Sequence, residues 1–473
     1  MPCCKPSTVP ASSSLHPDRL LPGDPAALPI ARRLYQQISD APIISPHGHV
    51  PAQLLVDDEG FGDPASLFVS PDHYITRQLH ALGVPLQALD TRRGADPREV
   101  WRILAGRTHA FAGTASSYWL RDELATVLGI EEELTAANAD ELFDVLSARL
   151  REPEYRPRAL FERFDISVLA TTDDPLDPLD AHRALREDPS FGGRVVPTFR
   201  PDAYIDPAAP SFRDNVERLL AVTSCPATFT GYLTALRERR EHFIRHGAVS
   251  VDVGVTDPTT LDLDAAEAGH LFQQVLADSA TRAEQAAFRA HLLLQLGAMS
   301  VEDGLVLTVH AGVYRNHSTL TYERFGPDTG HDIPVRTSFT RELKPLLDLF
   351  GLEPGFHLVL FTVDETTYSR ELAPLAGFYP SVYVGAPWWF LDAPDAIMRW
   401  RAAITETAGF YRTSGFVDDT RAFLSIPVRH DVARRTDAAF LARYVQQGRI
   451  SLATAERIAA DLVDTIPRTA FKL

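Results

Sequence analysis

The sequence predicts an α/β fold in which eight parallel strands, each followed by a helix, close into a (β/α)8 TIM barrel. Eight short apolar runs occur along the chain, and stretches with helical periodicity separate them. Residues 65–160 are strongly helical and hold few strand signals, which indicates a helical insertion after the first strand. A repeated strand–helix unit is the arrangement from which such barrels are built.

The first apolar run covers residues 41–46 and ends at His47-Gly48-His49. Side chains alternate between the two faces of a strand, so the two histidines point the same way. The glycine between them lets the backbone approach a bound ion closely. Two imidazoles on one face are suitable ligands for a divalent metal such as zinc. An ordinary polar turn is the alternative at this point, because Ser-Pro-His-Gly-His-Val-Pro is loop-like in composition.

The chain is predicted to form one large domain behind a short extension. Residues 1–25 are rich in Pro, Ser and Ala, which is typical of a flexible N-terminal extension. Residues 26–473 are assigned to the barrel domain, and the helical insertion of residues 65–160 lies within it. In the insertion, Asp96 followed by Pro97 predicts the start of a helix.

The other seven strands are predicted from short apolar runs at residues 166–170, 194–199, 248–253, 305–309, 357–361, 382–384 and 416–417. Helical patterns precede the first strand at 31–38 and lie between later strands at 212–223, 227–246, 265–296 and 339–350. The C-terminal stretch 438–463 is also helical, and we expect it to pack across the barrel.

Composition excludes several classes of partner. The 473 residues are 45% hydrophobic and 23% charged, which is ordinary for a globular enzyme. A net charge of −17 disfavours binding to nucleic acid or to an anionic membrane. Charges interrupt every apolar run before the ~18 residues that a membrane span needs, and the first 25 residues lack the apolar core of a secretory signal. Three cysteines make no disulfide framework and favour a cytoplasmic location.

In a (β/α)8 barrel the chemistry gathers at the carboxyl ends of the strands. Polar residues follow all eight predicted strands, and helix capping alone explains some of them, including Thr171, Asp174 and Asp202. Capping explains others poorly. The side chains selected by this filter include His47, His49, Arg200, Asp252, His310, Arg315, Asn316, Trp388, Trp389, Asp418, Asp419 and Arg421.

Taken together, these segments resemble the uronate (glucuronate) isomerases, a branch of the amidohydrolase superfamily. The resemblance covers nearly the whole chain after residue 40, and it implies a distorted (β/α)8 barrel of the metal-dependent hydrolase type. The matching segments are His47-Gly48-His49, Asp72-His73-Tyr74 with Arg77, 171–175, 197–202, Arg315-Asn316, Trp388-Trp389-Phe390, 419–424, and Arg429-His430-Asp431 with Arg434-Arg435.

The resemblance implies a divalent metal, with zinc preferred, held by His47, His49 and Asp419. Two histidines and one carboxylate leave positions open for water or substrate. Asp418 is a rival for the third position. Asp419 is preferred because the Asp-x-Arg spacing of the family then falls on Asp419 and Arg421.

The implied chemistry is aldose–ketose interconversion of a hexuronate through a cis-enediol. Asp419 is the candidate base, in concert with Tyr74, and Arg421 would stabilise the enediolate oxygen. His73 and Tyr74 would reach the substrate from the insertion. Arginine matches a carboxylate in two hydrogen bonds, so Arg200 and Arg315 are the candidates for the sugar acid group. The remaining predicted substrate contacts are Asn316, His310, Trp388 and Trp389.

Several hypotheses stay open at this stage. A metal-dependent hydrolase such as a lactonase would use the same scaffold, and an isomerase of a different acidic sugar would use the same chemistry. A noncatalytic relative is the third, although the joint presence of metal ligands, Tyr74 and Arg421 weighs against it. The family usually has Ser-Asp-His-Gly after the fourth strand, whereas this chain has Ser250-Val251-Asp252-Val253-Gly254 and lacks the histidine. This and other departures from the family pattern leave the exact sugar undecided. The expected partner is a small-molecule sugar acid, with a homo-oligomer left open.

Overall fold

The computed structural model describes residues 15–473. Its ten strands are short, and eight of them belong to the barrel wall. The strands are β1 (Ile43–Ser45), β2 (Ile166–Ala170), β3 (Arg194–Val196), β4 (Thr198–Phe199), β5 (Ser250–Val255), β6 (Val306–Ala311), β7 (Val313–Tyr314), β8 (Ile333–Pro334), β9 (Leu358–Thr362) and β10 (Val382–Val384).

The wall consists of two parallel sheets, in the orders β1-β2-β3 and β10-β9-β6-β5-β4. Pro197 separates β3 from β4, so these two strands are halves of one barrel position and join the sheets. Proline lacks a backbone N–H and cannot donate to the ladder, which explains the break. The predicted α/β barrel is confirmed.

The eighth barrel position is irregular, and the strand predicted at residues 416–417 is wrong. The chain there meets its neighbours through a bridge between Val384 and Thr413 and through a 2.9 Å hydrogen bond from His49 N to Thr420 O. Gly415 (φ +72°) and Asp419 (φ +42°) adopt left-handed conformations, which a regular strand does not accommodate. The barrel is therefore distorted at the position that carries Asp419.

Helix α1 (Leu28–Ile38) precedes β1, and among the described residues only helices lie between β1 and β2. The helices between β1 and β2 begin at Gln53, earlier than the predicted start of the insertion at residue 65. They are α2 (Gln53–Asp57), α3 (Pro64–Phe68), α4 (His73–Ala81), α5 (Pro97–Ala105), α6 (Ala115–Asp122), α7 (Ala139–Arg149) and α8 (Pro157–Arg163). Asp96 accepts hydrogen bonds from two backbone N–H groups at the start of α5, as its sequence predicts.

The remaining helices lie between the later strands and after the last of them. They are α9 (Asp180–Glu187), α10 (Asp202–Ile205), α11 (Phe212–Thr223), α12 (Phe229–Arg245), α13 (Ala265–Leu276), α14 (Arg282–Asp303), α15 (Thr319–Phe325), α16 (Lys344–Phe350), α17 (Ala373–Phe378), α18 (Pro394–Ala408), α19 (Ile426–Gln446), α20 (Leu452–Val463) and α21 (Thr465–Phe471). The stretch predicted as one helix at 265–296 is two helices. The second starts at a capping box formed by Thr281 and Glu284.

Two large apolar cores position the site. One packs the barrel wall against its outer helices, and the other packs the helices between β1 and β2 around Trp101, Leu55 and Leu169. The second core includes residues of β1 and β2, so these helices are fixed to β1, the strand that the two histidines follow. None of the described helices has the length and apolar character of a membrane span.

The chain before α1 contacts this assembly through ion pairs. Arg19 lies 2.8 Å from Asp122 and 2.7 Å from Asp431, and Arg435 donates to the backbone oxygen of Pro17. Part of the predicted flexible extension, residues 1–14, lies outside the described residues.

Candidate active site

A cavity of about 1120 Å³ opens at the carboxyl ends of the barrel strands, between the barrel and the helices that follow β1. All twelve residues predicted for the site line it. They are His47, His49, His73, Tyr74, Arg200, His310, Arg315, Asn316, Trp388, Trp389, Asp419 and Arg421. The structure therefore brings together residues that are separated by up to 374 positions in the sequence, from His47 to Arg421.

His47, His49 and Asp419 converge on one point. Asp419 Oδ1 lies 2.8 Å from His49 Nε2 and 3.4 Å from His47 Nε2, and the three ligand atoms all lie within 4.8 Å of one another. Asp419 Oδ1 is buried and makes no hydrogen bond of acceptable geometry within the described chain. Two imidazole nitrogens and a carboxylate oxygen aimed at one buried point form a donor set that fits a divalent cation.

The protonation states of two of these groups suit a ligand role. Burial lowers the pKa of His49, which favours the neutral imidazole that binds metals. Burial alone would raise the pKa of Asp419, but the adjacent imidazoles of His47 and His49 outweigh it and hold the pKa well below its usual value. Asp419 is therefore a carboxylate at neutral pH.

Asp418, the rival for the third ligand position, faces elsewhere. Its Oδ2 lies 3.1 Å from His430 Nε2, and the residue is only 1% exposed. It does not line the cavity. The left-handed backbone at Asp419 instead turns the carboxylate of Asp419 toward His47 and His49.

Asp252, which lies within β5 and not at its end as the sequence predicted, forms a second charged cluster beside the first. Its Oδ1 accepts hydrogen bonds from His310 Nδ1 (2.7 Å) and Thr308 Oγ1 (2.6 Å). Its Oδ2 lies 3.0 Å from Arg200 Nη1 and 3.9 Å from His47 Nε2. Although His47, Asp252 and His310 have the spacing of a metal site, the guanidinium of Arg200 already supplies the positive charge there. The donor set thus fits one cation, not two.

Arg200 is held between two carboxylates. Its second partner is Asp202, with Nε 2.9 Å from Oδ2. Burial would lower the pKa of Arg200, but Asp202 and Asp252 outweigh it and raise the pKa further. A guanidinium has five N–H donors, so donors remain that can face the cavity.

Helix α4 presents His73 and Tyr74 to the cavity from the opposite side. Asp72 caps this helix by accepting hydrogen bonds from the backbone N–H groups of Tyr74 and Ile75, which fixes the first turn. The rings of His73 and Tyr74 stack with centroids 4.5 Å apart. Burial raises the pKa of Tyr74, so its hydroxyl is protonated at neutral pH.

A buried arginine that was not among the predicted site residues supports this side. Arg429 of α19 pairs with Asp392 at 3.0 Å and lies 3.7 Å from the ring centroid of Trp119. It lines the cavity and is 5.9 Å from the ring of Tyr74. The sequence marked Arg429 only as part of a matching segment, because an arginine in the first turn of a helix carries no local signal of burial.

The tryptophans and Arg315 form the wall after β10. Trp388 and Trp389 are 5% and 7% exposed, and their ring centroids are 5.2 Å apart. Trp388 contacts His310 edge-on at 4.8 Å, and the guanidinium of Arg315 lies 4.6 Å over Trp389. An aromatic face with a cation above it suits the carbon skeleton and acid group of a sugar acid.

His73 gives a prediction about acid stability. Burial, assisted by the charge of Arg421, lowers the pKa of His73 to about 3. An unfolded histidine takes up a proton near pH 6.5, so between about pH 6.5 and 3 the unfolded chain binds a proton that the folded chain does not. Folding is penalised increasingly over that range and not above it. The stability of His73→Asn relative to the natural chain should therefore be higher at pH 5 than at pH 8, as measured by urea unfolding. An equal difference at both pH values would contradict the buried neutral state.

The fold and the centre define a (β/α)8 barrel of the metal-dependent amidohydrolase type, with a His-x-His pair on the first strand and a carboxylate at the eighth position. The sequence model of the glucuronate isomerase family matches residues 27–467. The chain therefore belongs to the glucuronate isomerase family.

Individual relatives agree with this assignment. The uronate isomerase of Corynebacterium efficiens is 51% identical over 466 residues, which cover 98% of this chain and 99% of the relative. The crystal structure of glucuronate isomerase from Caulobacter crescentus superposes with a TM-score of 0.95 at 46% identity, covering 98% of this chain and 97% of that one. The uronate isomerase of Thermotoga maritima superposes with a TM-score of 0.91 at 27% identity, over 97% and 99% of the two chains.

Proposed function

We propose that the chain is a uronate isomerase that interconverts D-glucuronate and D-fructuronate, or D-galacturonate and D-tagaturonate, through a cis-enediol. The observation that carries this proposal is the geometry of the cavity. The donor set of His47, His49 and Asp419 faces the same space as three arginines, Arg200, Arg315 and Arg421. A lactonase needs no such concentration of cations around its substrate, whereas an acidic sugar that becomes an enediolate does.

His47, His49 and Asp419 would hold a divalent metal, for which zinc is our choice because of the nitrogen-rich donor set. When bound, such an ion supplies positive charge that orients and polarises substrate oxygens.

The proton transfers are assigned to side chains. In the open-chain aldose, the carboxylate of Asp419 takes the proton from C2 while a proton is delivered to O1, which gives the enediol. Loss of the O2 proton and return of a proton to C1 then give the ketose. Tyr74, protonated in the resting site, is suited to donate to the substrate oxygen, and Arg421 would stabilise the developing negative charge.

The acid group and carbon skeleton are assigned to the opposite walls. Arg200 and Arg315 would bind the substrate carboxylate, with Asn316 and His310 contributing hydrogen bonds. Trp388 and Trp389 would form the apolar wall. His73 would position the neighbouring Tyr74, against which it stacks. The proposed partner is thus a small-molecule sugar acid, and the small number of cysteines favours a cytoplasmic location.

The test is to incubate the purified protein with each hexuronate in D₂O and to follow the products by NMR. We expect the ketose to form with deuterium at C1 because C1 receives its new hydrogen through an exchangeable group. A parallel incubation with hexonolactones tests the hydrolase alternative. Ring-opened lactone products without ketose formation would contradict the proposal.

A further inference from the structure

The chain between β6 and α16 crosses the mouth of the cavity. Strands β7 and β8 pair antiparallel and carry α15 between them. This excursion packs tightly on the helix that bears His73. Gly330 adopts φ +85°, and a Cβ at that position would lie 2.5 Å from Arg77 Cβ and 2.8 Å from His73 O. The backbone of the excursion therefore lies directly against the start of α4.

One carboxylate of this excursion has a clear positioning task. Asp332 is buried, and its Oδ1 accepts a 2.6 Å hydrogen bond from the backbone N–H of Asn316. Its Oδ2 lies 3.3 Å from Arg315 Nη1. Asp332 thus fixes the segment that presents Arg315 and Asn316 to the cavity.

A second carboxylate of the same excursion has no such task. Asp328 lines the cavity, and its Oδ2 lies 3.1 Å from Arg421 Nη2. Within the described part of the chain, this is the one ion pair that Arg421 makes. Burial would raise the pKa of Asp328, but Arg421 outweighs it and lowers the pKa, so the carboxylate is charged. Asp328 is therefore ion-paired with Arg421, the arginine that we assign to the reacting end of the proposed substrate.

We propose that Asp328 is a built-in substitute for the enediolate: it holds Arg421 in place and gives up this arginine when negative charge develops at the reacting end of the substrate. The inference rests on the uronate isomerase function. A cis-enediolate presents two oxygens in one plane, and so does a carboxylate, so both match the same guanidinium fork. The Asp328–Arg421 pair is suited to exchange because both side chains are nearly half exposed, at 43% and 45%, and exposed ion pairs are weak.

The exchange has a consequence for affinity. An anion that binds Arg421 must displace Asp328, so the pair lowers the affinity of the site for that anion. Removing the charge of Asp328 should therefore strengthen binding. A purely structural contribution of Asp328 to the shape of the loop would give the opposite sign, because its loss would disorder the mouth of the cavity and weaken binding.

The experiment is calorimetric titration of the metal-loaded enzyme with D-glucarate, which does not isomerise and carries a planar carboxylate at C1. The variants are Asp328→Asn and Asp348→Asn. Asparagine tolerates the left-handed backbone of residue 328 (φ +61°) as well as aspartate does. Asp348 is an exposed residue of α16 paired with Lys344, so its variant makes the same change of charge outside the cavity.

We expect the Kd of D-glucarate to fall roughly two- to five-fold in Asp328→Asn, the range of a surface ion pair, and to stay unchanged in Asp348→Asn. An equal or higher Kd in Asp328→Asn overturns the inference. If the natural chain turns over hexuronates but Asp328→Asn does not bind D-glucarate more tightly, only the role of Asp328 is refuted. Tighter binding of D-glucarate in Asp328→Asn without hexuronate turnover by the natural chain would show that Asp328 competes for Arg421 but would refute the proposed function, and with it the enediolate role of the exchange.

Discussion

Asp419→Asn should lower kcat by about 10³-fold, within the range of 10²–10⁴ that general acid–base catalysis supplies. The substitution keeps the volume of the side chain and removes the charge that faces both histidines and that we propose as the base for the C2 proton. Asparagine is compatible with the left-handed conformation of residue 419 (φ +42°), so the backbone of the site should be retained. Steady-state kinetics with a hexuronate, together with circular dichroism to verify folding, measure the effect.

The matched control is Asp418→Asn. Asp418 carries the same group one residue earlier, but it contacts His430 and does not line the cavity. Its loss should change stability and leave most of kcat intact. A larger loss of kcat in Asp418→Asn than in Asp419→Asn would reverse the assignment of the two carboxylates.

Asp252→Asn should be the most damaging substitution for stability within the site. The carboxylate is fully buried and faces Arg200, His310 and His47, and breaking a buried ion pair costs about 3–5 kcal/mol because the partner charge stays buried. Arg200 keeps Asp202 as a partner, so we expect the lower end of that range. Since Arg200 and His310 lose the group that orients them, kcat/KM should also fall by about 100-fold.

Asp437→Asn is the control that separates the loss of stability from the loss of kcat/KM. Asp437 makes a buried two-bond pair with Arg401 at 2.6 and 2.8 Å, and neither residue lines the cavity. This variant should lose stability to a similar degree but keep its activity per folded molecule. Unfolding in urea and kinetics well below the transition would measure both variants. Full activity in Asp252→Asn would show that its cluster does not organise the site.

Much of the barrel could be predicted because its strands are buried on both faces and read as apolar runs. β2 and β10 have the predicted bounds, residues 166–170 and 382–384. The prediction of a regular strand at the eighth barrel position was wrong for a physical reason. It is held by a bridge at Thr413, by the turn at Gly415 and by the left-handed Asp419, and such backbone detail leaves no hydrophobic pattern.

The site shows the same division. His47, His49 and the last-strand carboxylate could be proposed from their positions at strand ends, and the resemblance to a family supplied their roles. The sequence marked Asp252 as a strand-end residue. Its contacts with His310 and Arg200 could not be predicted, because they depend on distances between different strands. Asp328 and Arg429 lie on a loop and within a helix, and only the tertiary structure shows that they reach the cavity.

The central claim is that His47, His49 and Asp419 bind one divalent cation that the reaction requires. The most direct measurement is an anomalous difference map from crystals of the active enzyme, collected above and below the absorption edge of zinc. We expect a single peak bonded to the Nε2 atoms of both histidines and to the carboxylate of Asp419. A fully active crystal form with no peak between these three groups, or a peak held by other residues, would contradict the account.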